Sequence, residues 1–190
     1  GDYAERRKEL LEKGNAWFMK MADIWQRGPH IRPFLSELTF VDGKRLEIGE
    51  TVVRFTKPLF HGIEFDRIGW VIPLIVEHCG NKFIYTSDIQ GPQIEPYSEW
   101  LIQENPDILV ADGFPTYLFG YMANRINLNR AVENMLRIVE QTKASPIIYD
   151  HHLLRDKRYK ELLKPVYDLG RDRVLTAAEW MDREPLIKTL

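Results

Sequence analysis

Cysteine and histidine are scarce in this chain, one and five among 190 residues. A single cysteine, Cys79, excludes a disulfide framework within the chain and any cluster of thiolate metal ligands. It points to a reducing compartment, and a cytoplasmic setting is expected. No apolar run reaches the length that crosses a bilayer, so no membrane partner is expected. The charged start, Asp2-Tyr-Ala-Glu-Arg-Arg-Lys8, does not read as a signal peptide. The glycines lack phosphate-loop or dinucleotide spacing. A net charge of -2 argues against a general polyanion-binding surface. Internal repeats, low-complexity tracts and clear linkers are missing too. A chain opening on Gly1 rather than methionine suggests processing or an internal fragment.

What is present is an ordinary globular composition, 44% apolar and 28% charged, long enough for one sizeable core. Residues 2–13 read as a charged helix capped by Asp2. Gly14 interrupts it, and residues 15–26 read as a second helix. Trp17, Met21, Ile24 and Trp25 fall near one face of that helix, a stripe expected to pack into the core. From residue 38 the period shortens. Residues 38–41 and 45–48 flank Asp42-Gly43 as a hairpin, and 51–55, 68–78 and 82–86 follow as strands. The back alternates. A helix spans 98–104, a strand 108–111, a helix from Asn127 or Asn129 to Gln141, and a strand 146–149. A helix over 157–169 and a short strand or helical turn over 174–180 complete the chain. Strands in front and strand–helix alternation behind predict a layered α/β fold with a mixed sheet.

Three apolar runs end at once in a metal-capable side chain: Phe55-Thr-Lys-Pro-Leu-Phe-His-Gly62, Lys82-Phe-Ile-Tyr-Thr-Ser-Asp88 and Pro146-Ile-Ile-Tyr-Asp-His-His152. Neighbouring strand ends converge on one edge of a layered fold. Imidazole with carboxylate suits zinc, iron or manganese, and a carboxylate can bridge two ions. The plainer alternatives stand beside this one: a surface histidine at 61, a turn cap at Asp88, a polar loop at His151-His152. Thr86, Ser87 and Gln90 flank Asp88 and can hydrogen-bond it. Asp112 ends a further strand and could be a strand-end ligand, but reads more plainly as a turn residue. Tyr117 and Tyr121 are candidate walls of a substrate cleft. Arg155, Lys157 and Arg158 after the histidine pair would suit an anionic substrate, or simply open a helix.

The motifs also carry a resemblance. Pro58-Leu-Phe-His-Gly62, Ser87-Asp-Ile-Gln-Gly-Pro92, Pro106-Asp-Ile-Leu-Val110, Pro115-Thr-Tyr-Leu118 and Asp150-His-His-Leu-Leu-Arg-Asp156 resemble an uncharacterised archaeal family of the metallo-β-lactamase superfamily. The resemblance covers that family's C-terminal two-thirds. It implies an αββα sandwich lacking its N-terminal portion, with residues 1–37 a helical segment packed on it and 38–190 the C-terminal part of the domain. It implies metal ligands at His61, at Asp88 as the bridge, and at His151 or His152, with His151 preferred as nearer the strand end. The other ring would orient substrate or shuttle a proton, so Asp88 and His152 are the catalytic candidates. Asp150 would support an imidazole. Tyr117 and Arg155 are the substrate-binding candidates.

The superfamily's His-x-His-x-Asp-His motif is not in this sequence; before His61 the one histidine is His30. The resemblance therefore implies two divalent ions, zinc first, with manganese or iron also suited, in a complete protein, and weak or no binding by this chain alone. Missing ligands would come from an N-terminal segment or from a homo-oligomer. The expected function is a metal-dependent hydrolase acting on a phosphodiester, in RNA or a small molecule, through metal-activated water. The alternatives are hydrolysis of a thioester or other ester, and a non-catalytic binding or structural remnant.

Overall fold

The computed structural model describes residues 3–28, 39–66 and 68–189, Tyr3 by its backbone alone. The cap expected at Asp2, His30, the start of the 38–41 strand and the domain boundary at 37/38 lie outside the described residues. The chain opens with α1 (Tyr3–Gln26), one helix rather than two. Gly14 costs about 1 kcal/mol relative to alanine, which its Glu-, Lys-, Arg- and Leu-rich neighbours outweigh. The aromatic stripe is not core. Ile24 and Trp25 are 49% and 55% exposed, while Phe18 meets Trp70 edge-on at 5.8 Å between centroids.

Residues 39–44 form no strand. The hairpin lies one step later, between β1 (Arg45–Ile48) and β2 (Thr51–Phe55), across Gly49-Glu50 with Gly49 at φ 60. The long strand expected over 68–78 is broken. β4 (Trp70–Val71) pairs with β3 (Leu59–Phe60) in a small ribbon, and β5 (Leu74–His78) joins β2 in the main sheet. Pro73 stands at the break, where it has no N–H to donate to a ladder. β6 (Asn81–Tyr85) completes the antiparallel front.

The back half supplies α2 (Glu95–Glu104), β7 (Ile108–Asp112), α3 (Arg125–Gln141) and β8 (Ile147–Asp150). Asn124 rather than Asn127 or Asn129 caps α3, its side chain accepting from the Asn127 N–H at 2.9 Å. Leu128, Ala131, Met135 and Ile138 recur at helical spacing and are buried. The helix expected over 157–169 divides at Leu163 into α4 (Tyr159–Leu162) and α5 (Lys164–Gly170), with Pro165 in the first turn of α5. β9 (Val174–Leu175) and α6 (Ala177–Trp180) follow, and Thr176 and Glu179 close a capping box on α6.

The main sheet has the order β1-β2-β5-β6-β7-β8-β9. Its β6, β7, β8 and β9 run parallel, so they end on one edge. The fold is α/β with a mixed central sheet, the class expected. The main core joins Ile84, Leu109 and Ile147 of the sheet to Leu101, Met135 and Ile138 of the helices. A second, smaller core of Ile89, Ile94 and Tyr97 carries the β3–β4 ribbon. Among the described residues, no helix is long and apolar enough to cross a membrane.

One ion-pair network ties α2 to the front of the sheet. Arg54 donates to Glu104 at 2.9 and 2.7 Å and to Glu77 at 2.9 Å, and Lys82 reaches Glu104 at 2.8 Å. The Arg54 hydrogen bond, aided by Lys82 and opposed by burial, holds the Glu104 carboxyl down at about 2. A lowered carboxyl stabilises the fold fully above its ordinary value and loses that contribution as pH falls toward the lowered one. Glu104→Gln is expected to cost about 1–3 kcal/mol at neutral pH and to flatten the fall in stability between pH 4.5 and 2. Urea unfolding across that range checks both; parallel curves for the two proteins would contradict the role given to Glu104.

Candidate functional site

Each site residue sits where a strand runs out. After β6, the Thr86 N–H still reaches the Val110 carbonyl at 3.0 Å, so the exit stays pinned to β7. Ser87 and Gln90 then turn at φ 55, placing Asp88 between them with Ile89 fully buried beneath. Gly91 is required at φ 68, because a Cβ there would lie 3.0 Å from the Phe114 backbone nitrogen. After β8, Asp150 accepts from the His151 N–H at 2.6 Å and from the Ala177 N–H at 2.7 Å. That turn, with His151 at φ 61, throws the two histidine rings out of the strand line. His61 follows β3, its N–H donating to the Gly69 carbonyl at 3.1 Å across the ribbon.

The geometry brings His61, Asp88, His151 and His152 together. Asp88 Oδ2 stands 3.7 Å from His61 Nε2 and 3.9 Å from His151 Nε2. The His152 ring lies edge-on to both other rings, 6.0 Å from His61 and 4.5 Å from His151 between centroids. Gln90 Nε2 is 3.2 Å from His61 Nδ1 and orients that ring.

Asp112 is the residue that sequence reasoning set aside. It is no turn residue on the surface but a buried carboxylate, 3% exposed. Its oxygens lie 2.7 and 2.9 Å from His152 Nδ1, and it also accepts the backbone N–H groups of Gln90 at 2.7 Å and His152 at 3.3 Å. The contact places the proton on Nδ1, so in the neutral tautomer Nε2 carries the lone pair. The signal was available: Asp112 ends an apolar strand just as the other candidates do. Its ligand atom, with those of His151 and His152, falls within 4.8 Å of one another, a group that could hold a metal ion. Three hydrogen bonds already spent on the carboxylate make it the better orienting partner than ligand.

Around the cluster, the Tyr117 ring stacks parallel to His152 at 6.4 Å. Arg155 donates to the Tyr117 hydroxyl at 3.1 Å and lies over its ring at 5.4 Å. Tyr121, the other expected wall, is 87% exposed. Arg158 is held by Asp156 at 3.0 and 3.1 Å, so it is not a free cation for substrate. Asp150 contacts backbone N–H groups rather than an imidazole ring.

Comparison with known proteins follows from this geometry. No family model matches the chain. The chain is 43% identical over 145 residues to a UPF0282 protein of Methanopyrus kandleri, a match covering 76% of this chain and 48% of that protein. It is 38% identical over 155 residues to a UPF0282 protein of Saccharolobus islandicus, covering 80% and 50%, and 28% identical over 152 residues to one of Korarchaeum cryptofilum, covering 78% and 50%. The chain thus spans about half the length of the curated relatives it matches. These names correct the resemblance read from the motifs. The relatives are archaeal proteins named UPF0282, and these names contain no reference to the metallo-β-lactamases.

Removing Asp112 tests its part in the site. Asp112→Ala leaves two backbone donors and a ring N–H buried without an acceptor, so a loss of about 2–4 kcal/mol is expected in denaturant unfolding. A loss under about 0.5 kcal/mol, typical of a surface position, would contradict it.

Proposed function

We propose, for a chain similar to archaeal UPF0282 proteins, that His61, Asp88 and His151 are ligands of a divalent-metal site and that the site serves hydrolysis of an ester-type bond. The observation that carries this reading is the placing of Asp88 Oδ2 3.7 and 3.9 Å from two imidazole nitrogens. Those separations are too long for hydrogen bonds. They suit donors that share metal, since two donors about 2.1 Å from one tetrahedral ion stand about 3.4 Å apart. Imidazole and carboxylate are the donor set of zinc, manganese or iron sites. Each imidazole paired with Asp88 therefore suits an ion, but the ligand atoms of His61, Asp88 and His151 do not all lie within 4.8 Å of one another, so one ring must turn for a single ion to meet all three.

A bound divalent ion supplies Lewis-acid polarisation of the scissile group and makes water a stronger acid. The chain's own residues do the rest. Gln90's side-chain amide stands against His61 Nδ1 and fixes that ring; with its oxygen turned to that nitrogen it accepts from the Nδ1–H and leaves Nε2 with its lone pair. Asp112 fixes the His152 ring through Nδ1, with Nε2 turned away from that carboxylate, where it can take or return a proton. Tyr117 flanks His152 from one side, held by Arg155, and would restrict how a substrate lies.

A phosphodiester in RNA draws less support than a carbonyl ester or thioester. Of the three cations after the histidine pair, Arg158 is paired with Asp156, and Arg155 is engaged with Tyr117. The mixed sheet is, in this reading, one layer of an αββα arrangement. Its support is the position of the cluster at the carboxyl ends of parallel strands, where layered α/β folds hold ligands. A cytoplasmic setting belongs to the same reading, supported by the free thiol of Cys79.

Three donors are fewer than a two-ion centre needs, so the chain alone is expected to retain less than one tightly held ion after dialysis. Calorimetric titration with zinc or manganese is expected to show binding that Asp88→Asn and His61→Ala weaken by at least about tenfold. Zinc-loaded protein assayed on a thioester and a phosphodiester then reads the bond class. Equal metal affinity in wild type and both variants would reject the site. Metal binding without turnover of either substrate would favour the non-catalytic reading.

A further inference from the structure

A cavity of about 930 Å³ lies between α1 and the β3–β4 ribbon. Small-molecule sites commonly have volumes of about 300–1,000 Å³ and apolar, aromatic walls. This one is walled by Trp17, Phe18, Phe60, Phe65 and Trp70. We propose that it binds the uncharged aromatic portion of an ester or thioester substrate, the scissile end of which reaches His61 and Asp88 past Phe60; the second half of this statement rests on the hydrolytic reading of that cluster.

Four observations carry it. First, the charges on the wall do not suit an anion. Lys13, the wall's cation, is paired with Glu9, and Asp66 caps the Ile68 N–H at 3.0 Å. The Asp42 carboxylate adds negative charge at the wall, so a phosphate or nucleotide would be repelled while a neutral ring would not. Second, Gly14 faces the cavity from the middle of α1, and a Cβ built there meets nothing within 4 Å. A glycine inside a helix is destabilising by about 1 kcal/mol relative to alanine; here it leaves open the space a larger residue would fill. Third, the cavity wall leads along the chain into the cluster. Phe60 precedes His61, donates its N–H to the Tyr97 hydroxyl at 2.7 Å, and packs on Ile89 and Ile94, with Ile89 next to Asp88. Fourth, aromatic rings gain from offset or edge-on packing against other aromatic rings, and five such rings at the wall give an aromatic ligand more than an alkyl chain would find.

The test begins with the neutral fluorophore N-phenyl-1-naphthylamine titrated into the 190-residue chain. Saturable binding at one probe per chain is expected, weakened at least about tenfold in Gly14→Leu. Leucine favours the helix, so the variant is expected to fold, and far-ultraviolet circular dichroism confirms it. Asp88→Asn is expected to bind the probe as wild type does. With zinc supplied, 2-(2-naphthyl)ethyl acetate is expected to be hydrolysed in preference to ethyl acetate, an ester whose leaving alcohol is of similar acidity, and Gly14→Leu is expected to lose that preference. Absent saturation, equal binding in folded Gly14→Leu, or displacement of the probe by single-stranded RNA would overturn the proposal. So would probe binding that disappears as the chain self-associates, which would give the cavity to a second copy. Probe binding sensitive to Gly14→Leu with no turnover of either ester would uphold the cavity's ligand class and count against the hydrolytic reading alone.

Discussion

The site depends on one buried carboxylate. Asp112 ends β7 in register with Asp150 of β8, inside a parallel set in which β6, β7 and β8 all finish on the same edge. From there it accepts an N–H from the loop after β6 and both an N–H and a ring N–H from the loop after β8. Its own N–H is taken by Thr86 Oγ1 at 3.0 Å. The Asp112 side chain thus fastens the loops after β6 and β8 to the end of β7, beside the backbone hydrogen bonds Gly91 N–H to Asp112 O at 3.0 Å and Gly113 N–H to Asp150 O at 2.9 Å. A buried carboxylate without those donors would be strongly unfavourable, so carboxylate and loops hold each other in place.

The positions of Asp88, His151 and His152 follow from that fastening. Residues at φ 55 and 61 precede or form the bends, conformations that non-glycine side chains adopt only when their surroundings over-determine them. His61 arrives separately, from the β3–β4 ribbon, and is joined through Gln90 and through the small core beneath Ile89. Gly62 contributes by absence. At φ 93, a Cβ there would fall 2.6 Å from Gln90 Oε1 and push away the amide that orients His61. The aromatic cavity begins one residue earlier, at Phe60. One short ribbon therefore presents an apolar wall and a candidate ligand in succession.

Much of the α/β alternation was legible because apolar strands and helical stripes have different periods, as in Ile108–Asp112 and Leu128-to-Ile138. The strand-end pattern also pointed at the residues that converge, since a side chain just past a strand must lie on a sheet edge. Three things were not legible. Gly14 looked like a helix boundary, but a single glycine weakens a long helix without ending it. Pro73 divides an apolar run between two sheets, a choice made by tertiary pairing rather than by local propensity. Asp112 was visible as a strand-end carboxylate, but its burial was not. Its burial comes from Gln90 and His152, 22 residues before and 40 residues after it in the chain, and no local pattern encodes such distant partners.

The central claim is that metal binds between His61, Asp88 and His151. Anomalous diffraction from crystals of the chain soaked in zinc or manganese reads this directly. The account predicts an ion within about 2.1–2.2 Å of Asp88 Oδ2 and of at least one of the two Nε2 atoms, with His152 still held by Asp112 through Nδ1. An ion ligated by Asp112 in place of Asp88, or crystals whose histidine cluster takes up no metal while ions settle elsewhere on the surface, would contradict it.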